Sequence, residues 1–181
     1  MTALPPDAEL IARVVAGDDP RAFERLVMQY QSPVRGFLRQ LTSDPAAADD
    51  LAQETFLKAF QRLAQFRGDA KLSTWLIAIA YNEFRQSQRR TAHQLKITGA
   101  LRQEPDLHTI EPSSEIHDLP KLLGWLEEDE RVVMVLSYAY EFSHREIALV
   151  TGLPVGTVKS KVTRAKQRIL ERLRAAETHD A

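Results

Sequence analysis

Apolar residues recur at steps of three and four along almost the whole chain, and the rhythm breaks only at proline, glycine or acidic runs. That period puts apolar side chains on one face of an α-helix, whereas no Val/Ile/Thr-rich stretch alternates between turns as a half-buried strand does. The pattern predicts an all-α protein. Its helices are expected over about Ala8–Ala16, Pro20–Leu41, Pro45–Ala64 and Ala70–Arg89, then Leu119–Leu126, Glu130–Tyr140, His144–Thr151 and Val155–Ala175.

Several of these boundaries have local chemical causes. Asp44 before Pro45 reads as an N-cap followed by proline at the first helical position, where a missing N–H costs nothing. Ser143 and Glu146 have the spacing of a capping box, in which hydroxyl and carboxylate satisfy each other's free backbone donors. Gly152 suits a C-cap and Pro154 the start of the next helix. Between Thr91 and Asp118 the periodicity fades, Pro105 and Pro112 break helices, and the charge turns acidic, with 2 basic against 5 acidic residues. A flexible acidic linker over 91–118 therefore divides the chain into two small helical domains, 1–90 and 119–181.

At 181 residues and 44% hydrophobic content the chain can fold as one ordinary domain or two small ones. No apolar run approaches the roughly 18 residues of a membrane span, and the Met1–Pro6 start lacks the pattern of a signal peptide, so no membrane insertion and a cytoplasmic location are expected. With no cysteine there is no thiolate nucleophile, disulfide or cysteine-based zinc site. His93, His108, His117, His144 and His179 never pair at helical spacing, so no metal and no cofactor are expected. The net charge of −1 conceals a local asymmetry. Within 155–174, Lys159, Lys161, Arg164, Lys166, Arg168, Arg172 and Arg174 face only Glu171, which makes this helix a positive rod.

Three features carry candidate chemistry. The capped helix at 144–151, the turn at Gly152-Leu153-Pro154 and the basic helix beyond have the order of a helix-turn-helix, whose second helix enters the major groove. Ile147, Ala148, Val150, Leu153, Val158 and Val162 supply its core, while Lys159, Ser160, Thr163 and Arg164 fall on the opposite face, with Lys166 and Arg168 further along towards phosphates. A basic solvated helix is the plain alternative. On the Ala70–Arg89 helix, Trp75, Ala78, Asn82, Arg85 and Arg89 line one face and Leu72, Leu76 and Ile79 another, a set suited to stacking on and holding a single strand. Trp75 taken alone is more often a core residue. Asp49, Asp50 and Glu54 form an acidic patch on the third helix, with Lys58 one turn beyond Glu54 to offset the repulsion. Spacing fits a protein-docking face and a solvated face equally.

These residues admit more than one class of function. A dimeric helix-turn-helix repressor or activator explains 119–181 but leaves the Trp75–Asn82 stripe unused. A protein-interaction adaptor without DNA contact is a further class, and loss of binding at high salt argues against it. For an enzyme the sequence has no phosphate-cradling glycine loop, nucleophile elbow or metal-ligand pair, and no catalytic residue is expected.

The run Asp50-Leu51-Ala52-Gln53-Glu54-Thr55-Phe56 with Lys58 and Phe60, then Phe66-Arg67-Gly68-Asp69, Ser73-Thr74-Trp75-Leu76 and Ile79-Ala80-Tyr81-Asn82, closely resembles region 2 of extracytoplasmic-function (ECF) sigma factors, group 4 of the sigma-70 family. Glu146-Ile147-Ala148, the Pro154–Lys161 run and Arg164-Ala165-Lys166 resemble their region 4. The resemblance covers nearly the whole chain. It implies a transcription initiation factor that binds core RNA polymerase, through its beta and beta-prime subunits, and directs promoter-specific initiation. Asp49, Asp50, Gln53 and Glu54 are then the polymerase-docking residues. Trp75, Asn82, Arg85 and Arg89 serve the −10 element and its melting, and Lys159, Ser160, Thr163, Arg164, Lys166 and Arg168 the −35 element. The linker is implied to enter the polymerase near the RNA exit path, and an anti-sigma factor is the implied regulator. The chain departs from the family pattern at Glu127, where proline is usual after Leu126, at Glu141-Phe142, where a glycine often precedes the capping serine, and at Thr163, where a bulkier side chain is common.

Overall fold

The computed structural model describes residues 7–17, 19, 21–42, 44–98 and 122–177, and among them all regular structure is helical. The chain divides into two compact units, Met1–Gly99 and Ala100–Ala181.

The first unit holds α1 (Asp7–Ala16), α2 (Ala22–Leu41), α3 (Pro45–Arg62), a 3₁₀ turn (Leu63–Gln65) and α4 (Leu72–Thr98). α2, α3 and α4 pack on one another around Phe37, Leu38, Val34, Ala52, Leu76, Ile77 and Ala80, all essentially without solvent contact. The alanines on α3, Ala48, Ala52 and Ala59, let it approach its neighbours closely. α1 is tied to α2 by polar contacts besides buried Leu10: the Tyr30 hydroxyl and the Gln29 amide both donate to the Asp7 carboxylate. Burial first, then the Asp7 hydrogen bond and charge, push the Tyr30 phenol well above its ordinary range.

α3 begins as its sequence suggests, with Asp44 Oδ1 accepting from the Ala46 amide at 2.9 Å and Pro45 in the first turn. It passes into the 3₁₀ turn after Arg62 rather than reaching Ala64 as one α-helix. α4 differs more from expectation, since it begins at Leu72 and continues through Thr98 instead of ending near Arg89. Its last turns have no breaker before Gly99, and good helix formers such as Gln94, Leu95 and Lys96 carry the helix on even where the apolar stripe fades. Residues 91–98 are thus helical, and the remainder of the expected acidic linker, 99–118, lies outside the described residues.

The second unit is described from Leu122 and holds α5 (Glu128–Tyr138), α6 (His144–Thr151) and α7 (Val155–Glu177). Val132, Val133, Leu136, Ile147, Val150, Val158 and Ala165 meet in its core. α5 starts two residues earlier than the apolar rhythm indicates, because Glu127 and Glu130 form a capping box in which the Glu127 N–H donates to Glu130 Oε2 at 3.4 Å. Of the expected Leu119–Leu126 helix, only Leu122 onward is described, helical to Gly124. Arg131 binds the end of that turn, donating to the carbonyls of Leu123 at 3.1 Å and Leu126 at 3.4 Å. Burial lowers its pKa from the ordinary arginine value, with Glu128 acting in the opposite sense.

α6 carries the expected capping box, with the Ser143 N–H donating to Glu146 Oε2 at 2.9 Å and the Glu146 N–H to Ser143 Oγ at 3.3 Å. Gly152 ends it in the left-handed region at φ 73°. The turn before α6 reaches that region with an L side chain, Glu141 at φ 54°, and the Phe142 N–H closes it on the Leu136 carbonyl at 3.0 Å.

Candidate docking face and nucleic-acid interfaces

α3 packs through Ala48, Ala52, Thr55, Phe56 and Ala59, so the opposite side of the helix faces solvent. Asp50, Gln53 and Glu54 are exposed there. Asp49, expected among them, turns towards α2, with its Oδ1 3.3 Å from Arg39 Nη2 and 3.5 Å from Arg35 Nε. Lys58 does not offset Glu54 as expected either. Its ammonium reaches across to Glu83 on α4 at 2.6 Å. Two apolar residues outside the acidic pattern also lie on the exposed face, Leu57 at 53% and Phe60 at 54% exposure, continuing the helical steps from Gln53. The exposed side of α3 therefore carries apolar side chains beside charged ones, with the Phe60 ring 4.9 Å from that of Phe23. The readable signal was the count: α3 has more apolar residues than one buried stripe can take.

On α4 the candidate stripe is one surface. Asn82, Arg85 and Arg89 are exposed, Ala78 and Trp75 half-buried, while Leu72, Leu76, Ile79 and Phe84 point into the core. Trp75 belongs to both readings, for its ring rests on Phe66 with centroids 5.3 Å apart and the remainder meets solvent. Such a ring is rigidly held and open to stacking. The Arg85 guanidinium lies 5.9 Å from the centroid of buried Tyr81, which steadies it without neutralising it. From Trp75 to Arg89 the surface runs about 21 Å along the axis at 1.5 Å per residue. In its middle, Asn82 offers both a donor and an acceptor for a base edge.

On α7, Val158, Val162 and Ala165 are buried, and the face opposite them presents Ser160, Thr163 and Arg164, with Lys159 and Lys166 on one flank, all exposed. The Ser160 and Thr163 hydroxyls donate to the carbonyls of Thr157 at 2.9 Å and Lys159 at 3.0 Å, which leaves oxygen lone pairs directed outward as acceptors. The first turn of α7 contains no acid, so the positive end of the helix dipole is unopposed. Lys166 also sits 5.2 Å from the Tyr138 ring centroid. The other flank differs from the sequence expectation. Lys161 pairs with Asp129 at 3.1 Å, and Arg168 pairs with Glu127 at 3.2 Å and Glu130 at 3.4 Å. Arg172 lies 6.0 Å from the Trp125 ring centroid. The positive rod is therefore divided, with Lys159, Arg164 and Lys166 free to meet an anion and Arg168 bound to α5.

Among the described residues no helix is long and apolar enough to cross a membrane, and no three metal-ligating side chains converge.

The sequence profile of Sigma-70 region 2 matches residues 26–94, which span α2 to α4, and that of Sigma-70 region 4 matches 116–169, which include the helix-turn-helix. The chain is 33% identical to the RNA polymerase sigma-H factor of Pseudomonas aeruginosa, over 90% of this chain and 91% of that one. It is 32% identical to the ECF RNA polymerase sigma-E factor of Escherichia coli K12, over 90% and 92%. Among solved structures, the sigma factor RpoE of Bartonella quintana in complex with the anti-sigma factor NepR aligns with a TM-score of 0.73 and 29% identity, over 85% of this chain and 98% of that one. CnrH in complex with the cytosolic domain of CnrY aligns with a TM-score of 0.67 and 27% identity, over 93% and 97%.

Proposed function

Because this chain belongs to the sigma-70 family of RNA polymerase sigma factors, in its ECF group, we propose that its three exposed surfaces divide the work of initiation among polymerase docking, −10 capture and −35 reading. Asp50, Gln53 and Glu54, with Leu57 and Phe60 as apolar centre, dock on core RNA polymerase at its beta and beta-prime subunits. Asp49 contributes by fixing α3 on α2. Trp75, Asn82, Arg85 and Arg89 capture the unpaired strand of the −10 element, and Asn82 takes a flipped base, the recovered contacts offsetting a few kcal/mol of unstacking. Lys159, Ser160, Thr163 and Arg164 read the −35 element in the major groove, with Lys166 on phosphate.

The observation that carries this reading is the exposed α4 stripe standing in one chain with an exposed helix-turn-helix face. A duplex-binding repressor has a use for the second alone. On this reading the protein catalyses nothing, takes no cofactor and acts in the cytoplasm with its polymerase. The RpoE relative was solved in complex with an anti-sigma factor, which supports an anti-sigma factor as this chain's regulator.

Run-off transcription with core polymerase on a promoter library tests the function, and Asn82→Ala tests its melting step. Promoter-specific transcripts are expected with the parent. With Asn82→Ala, permanganate reactivity of the −10 region should fall while core binding persists. Absence of any promoter-dependent transcript overturns the reading.

A further inference from the structure

Glu83 follows Asn82 in sequence, but one residue of helix turns its side chain from the solvent face into the seam between α3 and α4, where it is 5% exposed. There its Oε2 accepts from Lys58 Nζ at 2.6 Å, a short charge-assisted bond, and the Lys58 side chain is itself only 24% exposed. Lys58 lies one turn beyond Glu54, at the border of the acidic face.

Burying such a pair is a poor way to gain stability. Two apolar side chains of similar volume usually hold a helix seam as well or better, because the charges lose their hydration. What apolar contacts lack is direction. A charged hydrogen bond fixes one atom against another, whereas an apolar seam tolerates small slides of one helix along its neighbour. Here the bond joins the turn after the docking residues of α3 to the residue beside the base-facing amide of α4.

We propose that Lys58 and Glu83 are positioning residues that hold the −10-capturing face of α4 in register with the polymerase-docking face of α3. The pair touches neither DNA nor polymerase. Its effect is on where Asn82 stands once α3 is seated. This inference rests on the proposed assignment of the α3 and α4 faces.

The test uses full-length chain assembled with core polymerase and a fork DNA carrying a single-stranded −10 element. Core affinity, fork affinity and thermal unfolding are measured for the parent, Glu83→Gln, Lys58→Arg, the double variant Lys58→Met with Glu83→Met, and Asn82→Ala. Glu83→Gln and the double methionine variant should lose fork affinity by about tenfold, the scale of one charged hydrogen bond, with core affinity within about twofold of the parent. Lys58→Arg, which keeps a charged bond, should retain fork capture. A double methionine variant that captures fork DNA like the parent overturns the inference. So does a parallel fall in core affinity, fork affinity and unfolding temperature, the signature of a merely structural pair. If the double variant does not fold, Glu83→Gln decides alone by the same comparison. An Asn82→Ala holoenzyme that captures fork DNA normally removes the assignment beneath the inference, whereas a defect there beside normal Glu83→Gln and double variants removes the inference alone.

Discussion

Arg168 Nη1 lies 3.4 Å from Glu130 Oε2, and the Glu130 side chain is only 4% exposed. A carboxylate at that depth needs a counter-charge, and the same Glu130 oxygen also caps its own helix by accepting from the Glu127 N–H. Arg168 therefore serves the junction of α5 and α7 before it serves any ligand. Arg168→Ala should lower the stability of the protein by about 1–3 kcal/mol, less than for a fully buried pair because Arg168 keeps solvent contact. The salt slope of binding to −35 DNA should be unchanged. Lys166→Ala should show the reverse, with stability intact and the salt slope lower by about one. Denaturant unfolding together with titrations at several salt concentrations measures both, and a reduced slope for Arg168→Ala places that side chain on DNA instead.

Arg164 stands on the exposed face opposite Val162 and Ala165, where the proposed function places base edges. Arg164→Ala should cost about 1–3 kcal/mol on the preferred −35 sequence and relax selectivity at one or two positions. Matched and scrambled sites, titrated with holoenzyme, separate this from simple charge loss. Equal weakening on both sites makes the residue an electrostatic anchor.

Charge reversal distinguishes the two kinds of acid on α3. The double variant Asp50→Lys, Glu54→Lys should fold normally and bind core polymerase weakly, because those side chains face solvent. Asp49→Ala should leave polymerase affinity nearly intact and lower stability by less than about 1 kcal/mol, since its ion pairs with Arg35 and Arg39 are exposed and screened. Competition binding against a labelled parent chain reads the first effect and thermal unfolding the second. Full affinity in the double variant refutes the docking assignment.

Glu141 holds φ 54° where a glycine meets no steric objection. The left-handed conformation costs an L residue roughly 1–2 kcal/mol and glycine costs roughly 0.5–1 in entropy, so Glu141→Gly should stabilise the protein by about 0.5 kcal/mol. Glu141→Val should destabilise it, because a β-branched side chain is worst placed there. A valine variant as stable as the parent shows that the turn can open at no cost.

The features legible from sequence were those settled within a few residues. The Asp44 cap, the Ser143–Glu146 box and the Gly152 stop depend on groups three or four positions apart, and each stands where spacing placed it. The α4 stripe was legible for the same reason, since helical period alone sorts Asn82, Arg85 and Arg89 from Leu72, Leu76 and Ile79. α4 runs on past the point where its apolar stripe fades, because Gln94, Leu95 and Lys96 are good helix formers and neither proline nor glycine interrupts them.

Charge pairing was not legible. Sequence spacing set Lys58 beside Glu54, Asp49 in the acidic patch and Arg168 on the basic rod, and it did not show that each pairs with a charge on another helix. Local pattern and family motifs thus dictate the helices of the described residues, a sigma-70 region 2 and region 4, and which side of each helix is exposed, because helix period and caps are short-range. Which charges remain free on those faces was decided only by packing. A charge brought near a neighbouring helix is shielded from water, and the first opposite charge within about 4 Å there outweighs one that stays solvated along its own helix.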